Sequence, residues 1–194
     1  LNPSSAASDV YKRQAYNNSI AIRGNISRKN LNNLNEKNIS LFMGSNFHYV
    51  IYPTNNDNEA FNFIGVLKYK LTANELDNYG LFKEKGFIQG IKDKLQNKIS
   101  VNILVNLNNI KCFPVFVSKG YLKPGNNISL IGDAFFAFPP SFAQGASQSI
   151  ESGSELFDNI INKKNNFYDD RVVKVKMINN RSKLNQFAFQ VSHP

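Results

Sequence analysis

Residues 130–149, LIGDAFFAFPPSFAQGASQS, constrain this chain more than any other stretch. An apolar strand pattern stops at Gly132-Asp133, an aromatic loop turns at Pro139-Pro140, and a helix opens on the small residues Ala143, Gly145 and Ala146. A carboxylate at the carboxyl end of a buried strand sits where open α/β sheets bind ligands. It accepts hydrogen bonds from sugar-like hydroxyls and repels phosphate. A helix start offers unpaired N–H groups and partial positive charge, which favour an anionic or carbonyl-bearing ligand. Gly145 and Ala146 leave room for a flat ligand to approach that backbone. Each residue alone has an ordinary reading, Asp133 as a turn residue and the small pair as tight helix packing. A plain surface loop needs none of the combination, so the whole stretch points to a bound ligand.

The rest of the chain alternates between strand and helix patterns. Residues 1–14, LNPSSAASDVYKRQ, have no clear period, resemble translated adaptor sequence, and are set aside as a non-native extension. YNNSIAIRG (16–24) reads as a strand and residues 25–40 as a polar connector. NFHYVIYP (46–53) and FNFIGVLKYK (61–70) alternate around an Asn/Asp-rich turn, which predicts an antiparallel hairpin. Two helical patterns follow, TANELDNYGLFKE (72–84), capped by Thr72 or Asn74, and GFIQGIKDKLQNKI (86–99). IKCFPVFVS (110–118) is a strand that Pro114 confines to an edge or an exit. NNISLIG (126–132) is a short apolar strand. Helices then run over about 141–162, with Ile150, Phe157 and Ile161 on one face, and over roughly 167–189.

Composition narrows the class. The chain has 194 residues, 42% hydrophobic with 16 Phe, which suits one ordinary domain or parts of two and argues against disorder. No run approaches a membrane span and no signal peptide opens the chain, so stable membrane insertion is not expected. The single cysteine, Cys112, excludes an internal disulfide and favours a reducing, cytoplasmic compartment. It lies in an apolar run and reads as a buried, inert thiol. The net charge of +9 is spread over basic residues scattered singly among Asn, with no stripe of stacking aromatics, so no nucleic-acid partner is expected.

Read together, Gly132-Asp133-Ala134, then Pro139-Pro140, then Gln144-Gly145-Ala146 resemble the second flavin-contacting motif of the FAD-dependent aromatic hydroxylases, the single-component flavoprotein monooxygenases. AIRG (21–24), HYVIYP (48–53) with FNFIGV (61–66), and YDDRVVKVKMINNRSKLN (168–185), with its two spaced arginines, resemble further parts of that family in family order. The resemblance implies an α/β fold with α+β character: a mixed or antiparallel substrate-domain sheet (15–118), then the C-terminal strand and helices of the FAD-binding domain (119–194). It implies that Asp133 binds a ribityl hydroxyl of FAD, within a cofactor site formed by Gly132, Asp133, Pro139, Gln144, Gly145 and Ala146. Amides around Gly145 and Ala146 would face the pyrimidine edge of the flavin, and Pro140 would lie beside the reactive face. Phe135 and Phe136 depart from the family pattern, which has Ala and His there.

His48 and Tyr52, four apart on a strand, share a face about 13 Å apart along it. In family members that hydroxylate phenols such residues polarise the substrate hydroxyl; as a strand His and a core Tyr they would be scaffold, and both readings stay open. No G-x-G-x-x-G is present, since Gly86 and Gly90 do not make one, and the chain reads as the C-terminal half of a longer enzyme. Such an enzyme would use NAD(P)H to reduce FAD, whose C4a-hydroperoxide, formed with O₂, would hydroxylate a phenolic or benzoate-like substrate. Alternatives are a quinone-biosynthesis hydroxylase, a reductase or halogenase of the same fold, and a non-catalytic flavin-fold binding protein. No metal is expected, and assembly as a homodimer stays open.

Overall fold

The computed structural model describes residues 13–31, 38–54, 60–121 and 128–191. The chain divides into two compact units, Asn18–Val115 with Phe189–Pro194, and Leu1–Asn17 with Phe116–Ala188. Among the described residues, one five-stranded sheet has β1 (Gln14–Ser27), β2 (Ser40–Gly44), β3 (Phe47–Pro53), β4 (Ala60–Lys68) and β5 (Asn108–Ser118) in the order β2-β3-β4-β1-β5. β1 starts on the last residue of the stretch set aside as an extension.

The hairpin read from the alternation is present, with β3 antiparallel to β4 and Tyr52 opposite Asn62. β1 pairs antiparallel with β4, Arg23 opposite Ile64. β5 lies at the sheet edge, where its Pro114 costs no ladder partner on the open side. β2 pairs antiparallel with β3, and its five residues fall just past the polar connector, too short and too exposed to alternate clearly.

Ile20, Ile22 and Ile26 of β1 and Phe61 and Phe63 of β4 project onto one sheet face, all at most 2% exposed. Each such side chain contributes about 1.5–3 kcal/mol on burial. Three helices of this unit follow in sequence: α1 (Ala73–Asp77), α2 (Lys85–Leu95) and α3 (Val101–Asn106). Ile91 and Leu95 of α2 and Ile103 and Leu104 of α3 join the same core. Thr72 caps α1 as the sequence suggested, accepting from Glu75 N while the Glu75 carboxylate accepts from Thr72 N. The helical pattern over 72–84 breaks after Asp77 into a turn and a single 3₁₀ turn, Leu81–Lys83, because Asn78 and Gly80 form a local turn bonded Gly80 N to Asn78 Oδ1. α3, with the sequence VNILVN, is too short to show a marked period.

The second unit holds α4 (Gly132–Phe135), α5 (Gly145–Ile161) and α6 (Phe167–Phe189). Residues 128–131 are not a strand, contrary to the reading of 126–132, of which 126 and 127 lie outside the described residues. A fully apolar strand needs neighbours on both sides. Here Leu130 N donates to Tyr168 Oη instead of to a ladder carbonyl. α5 begins at Gly145, later than the expected 141, because Pro140–Phe142 close a 3₁₀ turn and Ala143 takes a left-handed φ of 52°. Ile150, Phe157 and Ile161, the apolar face of α5, are all exposed, and its buried residues are Gln148 and Ser152. Among the described residues no helix is long and apolar enough to cross a membrane.

Candidate functional site

In the Phe116–Ala188 unit, the motif from Leu130 to Ala146 folds back on itself. Gly132 adopts φ +54°, a left-handed conformation natural to glycine. It reverses the extended backbone of Ile131 into α4, whose first turn carries Asp133. Gly132 N donates to Ser152 Oγ at 3.1 Å, and Ser152 Oγ in turn donates to Ser149 O. The reversal is thus tied to the second turn of α5. A methyl on Gly132 would lie 2.4 Å from Ser149 Oγ, so the contact admits only a hydrogen there.

The chain continues through Phe135 and Phe136, at 3% and 6% exposure, which pack with Leu130, Val172 and Val175 as the core of this unit. The pair that departs from the family pattern therefore fills a packing role. Ala137 is fixed on both sides, its N–H donating to Ser118 Oγ and its carbonyl accepting from Ser118 N, each at 2.9 Å. Pro139 is buried and Pro140 exposed. Ser141 Oγ is buried without a hydrogen-bond partner.

Asp133 and Gly145 come together. A Cβ built on Gly145 would stand 3.9 Å from Asp133 Oδ1, which places the carboxylate against the first residue of α5. Asp133 is exposed, and the hydration its carboxyl loses to neighbouring atoms raises its pKa from the ordinary value. Gln144 precedes α5 without a side-chain cap, so the leading N–H groups of the helix face outward past Gly145 and Ala146. The arrangement offers an acceptor and a row of donors within one small region, with no bulky side chain between them. Among the described residues no group of His, Cys, Asp and Glu could hold a metal ion.

Arg171 of α6 supports this region from beneath and was legible in the sequence only as one of two spaced arginines. It is 2% exposed, while Arg181 is exposed. Its Nη2 donates to Gln148 O and Gln148 Oε1, and its Nη1 to Glu151 and Glu155 at 3.2 Å. Lys174 also reaches both carboxylates. Gln148 Nε2 donates on to Gln144 Oε1 at 3.4 Å, one residue ahead of Gly145. Charge-assisted bonds of this kind are short-range and geometrically demanding, so they fix where α5 starts relative to α6.

His48 and Tyr52 belong to the Asn18–Val115 unit. Phe47, Tyr49 and Ile51 are in its core, so the alternation of β3 puts His48, Val50 and Tyr52 on the opposite sheet face, as the spacing predicted. Tyr52 Oη accepts from Asn62 Nδ2 at 3.3 Å. His48 is 5% exposed, lies edge-on to Phe189 with ring centroids 5.3 Å apart, and has Gln190 Nε2 3.3 Å from its Nδ1. Gln190 also donates to Val66 O and accepts from Asn46 N. Burial lowers the His48 pKa to about 4 from an ordinary 6.5. Its folded-state pKa is depressed, so between these values the unfolded chain binds the proton and the folded chain does not. Stability is full above pH 6.5 and falls as pH drops towards 4, by roughly 2–3 kcal/mol. Urea titrations between pH 7 and 4 are expected to show this loss, and His48→Gln to flatten it. An unchanged slope in the variant would place the acid sensitivity elsewhere.

Neither a protein-family model nor a curated protein sequence matches the chain. Solved structures do. A variant of HpxO from Klebsiella pneumoniae, complexed with FAD, matches with a TM-score of 0.72 at 11% identity, over 91% of this chain and 47% of that one. The 2,6-dihydroxypyridine-3-hydroxylase of Arthrobacter nicotinovorans gives 0.70 at 13% identity, over 91% and 52%. A salicylate hydroxylase in a substrate complex gives 0.62 at 14% identity, over 93% and 49%. The chain therefore spans about half the length of the solved chains it matches. It has the fold of part of an FAD-dependent aromatic hydroxylase.

Proposed function

We propose that this chain is part of an FAD-dependent monooxygenase that takes reducing equivalents from NAD(P)H and uses O₂ to hydroxylate a small phenolic or benzoate-like molecule. In this reading residues 15–118 are most of the substrate domain, and 119–194 are the returning part of the FAD domain. The observation that carries it is the solvent-facing Asp133 carboxylate, held against the N-terminus of α5 at Gly145. An exposed carboxylate so placed is open to an incoming donor, and a ribityl hydroxyl supplies one. The first N–H groups of α5 need acceptors, and the electron-rich pyrimidine edge of a flavin supplies those. The residues present thus fit the group.

Bound FAD would supply the activation of O₂, while the protein positions substrate and excludes water. Gly132 and Pro139 set the course of the loop, Gln144 leads into the helix, and Gly145 and Ala146 keep its approach clear. Exposed Pro140 would flank the substrate ring. His48, neutral at physiological pH, and Tyr52 would polarise a substrate hydroxyl from the sheet face. A flavin-loaded protein carrying Asp133→Ala is expected to lose FAD on dialysis, with affinity weakened by ~1.5–3 kcal/mol for the lost charge-assisted bond. Asp133→Asn, which keeps an acceptor, should retain part of it. Full flavin occupancy in Asp133→Ala would remove this residue from the site and the reading with it.

A further inference from the structure

Basic residues that look scattered in the sequence converge in the Asn18–Val115 unit. Its surface carries an open cleft of about 730 Å³ whose lining includes Lys68, Lys70, Lys94 and Lys98, with Tyr69 between the first two. Among the described residues no Asp or Glu lines it. Lys68 ends β4, Lys94 stands in the last turn of α2, and Lys98 follows in the turn after it. Residues four apart on such a turn are close neighbours, and like charges there repel.

The fold holds this arrangement in place. Lys68 N donates to Asn46 O and Tyr69 N to Asn18 O, both at 2.8 Å. Asn18 and Asn46 have left-handed φ of 47° and 60°, which tight reversals require and asparagine tolerates. Lys94 Nζ lies 5.4 Å from the Tyr69 ring centroid, and Lys98 Nζ donates to Ser45 O at 2.9 Å. Two of the ammonium groups are therefore anchored beside the cleft. A concave wall with one sign of charge focuses the field and concentrates counter-ions.

We propose that this cleft binds a small molecule bearing two or more phosphoryl groups. The volume lies within the ~300–1,000 Å³ range of small-molecule sites. Several ammonium groups with no competing carboxylate suit a compact polyanion better than a single carboxylate, because each phosphoryl oxygen can take a charge-assisted bond. The proposal does not depend on flavin binding, and a chain that held no flavin would still carry the site.

Calorimetric titration of the full chain with inorganic tripolyphosphate at low salt tests it. Saturable binding near one to one is expected, weakened at least tenfold in Lys94→Gln/Lys98→Gln. A matched charge change at Lys83→Gln/Lys85→Gln, exposed residues of the same unit outside the cleft, should alter affinity less than twofold. Lys68→Gln/Lys70→Gln probes the lining at the end of β4 should the first pair fail to fold. Adenosine triphosphate in place of tripolyphosphate separates recognition of the phosphate chain alone, giving equal affinity, from a nucleotide site, giving tighter binding. Equal losses in cleft and control variants, no saturation, or an oligonucleotide that tripolyphosphate cannot displace would overturn the proposal.

Discussion

Arg171→Met is expected to destabilise the Phe116–Ala188 unit by about 3 kcal/mol. Removing one member of a buried ionic cluster typically costs ~3–5 kcal/mol, because the partners keep their desolvation without their charge. Glu151 and Glu155 are 40% and 28% exposed, so water and Lys174 recover part of their loss. Gln148 cannot recover in this way. At 7% exposure its side-chain and main-chain oxygens each lose a donor, at roughly 1–3 kcal/mol for each buried acceptor left unpaired. Methionine fills the volume, so the change reports on polar satisfaction more than on a cavity. Hydrogen exchange of α5 and α6 amides measures it within this unit alone. Protection lowered by less than threefold would mean the cluster adds nothing.

The same variant alters the response to acid. Lys174 first, and Arg171 with it, hold the Glu151 carboxyl below its ordinary 4.5. A depressed carboxyl gives stability that is present above that value and lost as pH falls through its folded pKa. With Arg171 gone, the loss below pH 4.5 should be shallower.

Gly132→Ala is the second large effect, expected to cost about 2–5 kcal/mol. A non-glycine residue at φ +54° carries ~1–2 kcal/mol of backbone strain. The added methyl would also meet Ser149 at 2.4 Å from Oγ, 3.0 Å from Cβ and 3.3 Å from Cα. Forcing α4 and α5 apart costs a further ~1–3 kcal/mol and weakens the Gly132 to Ser152 bond. A double-variant cycle divides these causes. Ser149→Gly removes the first two clashing atoms, so Gly132→Ala made in that background should retain the backbone strain and the milder contact with the Cα of residue 149. Equal costs in both backgrounds would show that strain accounts for the whole effect.

Periodicity carried much of the fold because it reports burial directly. The alternation around His48 and Asn62 became the β3–β4 hairpin, and Pro114 marked an edge strand. β2 and α3 were missed because five or six residues hold too few periods to stand out from an Asn-rich background. The strand at 128–131 was misread for the opposite reason. Its apolar run is real, but ladder formation depends on neighbours that its own residues cannot announce. Of the candidate site, the small residues and Asp133 were visible because their types are unusual in that order. Arg171, Ser149, Ser152 and Gln148 were not, since each acts through a contact 16 to 23 residues away, between α5 and α6 or between Gly132 and α5. The cleft lysines illustrate the same limit, as positions 68 and 94 meet only after β4 and α2 have formed.

The division of the chain into units bears on its synthesis. Asn18–Val115 forms the bulk of one unit, while the other takes residues from before and after it. On a ribosome, Asn18–Val115 is synthesised before Phe116–Ala188, so most of its partners are made first. The flanking unit must wait for α6. Early collapse of the insert also shortens the effective gap that the flanking segments must close. A flexible loop of about 100 residues would cost several kcal/mol of closure entropy, and a compact insert with neighbouring ends largely avoids it. Within this stretch of sequence, Asn18–Val115 would therefore become native first and the Asp133 region late.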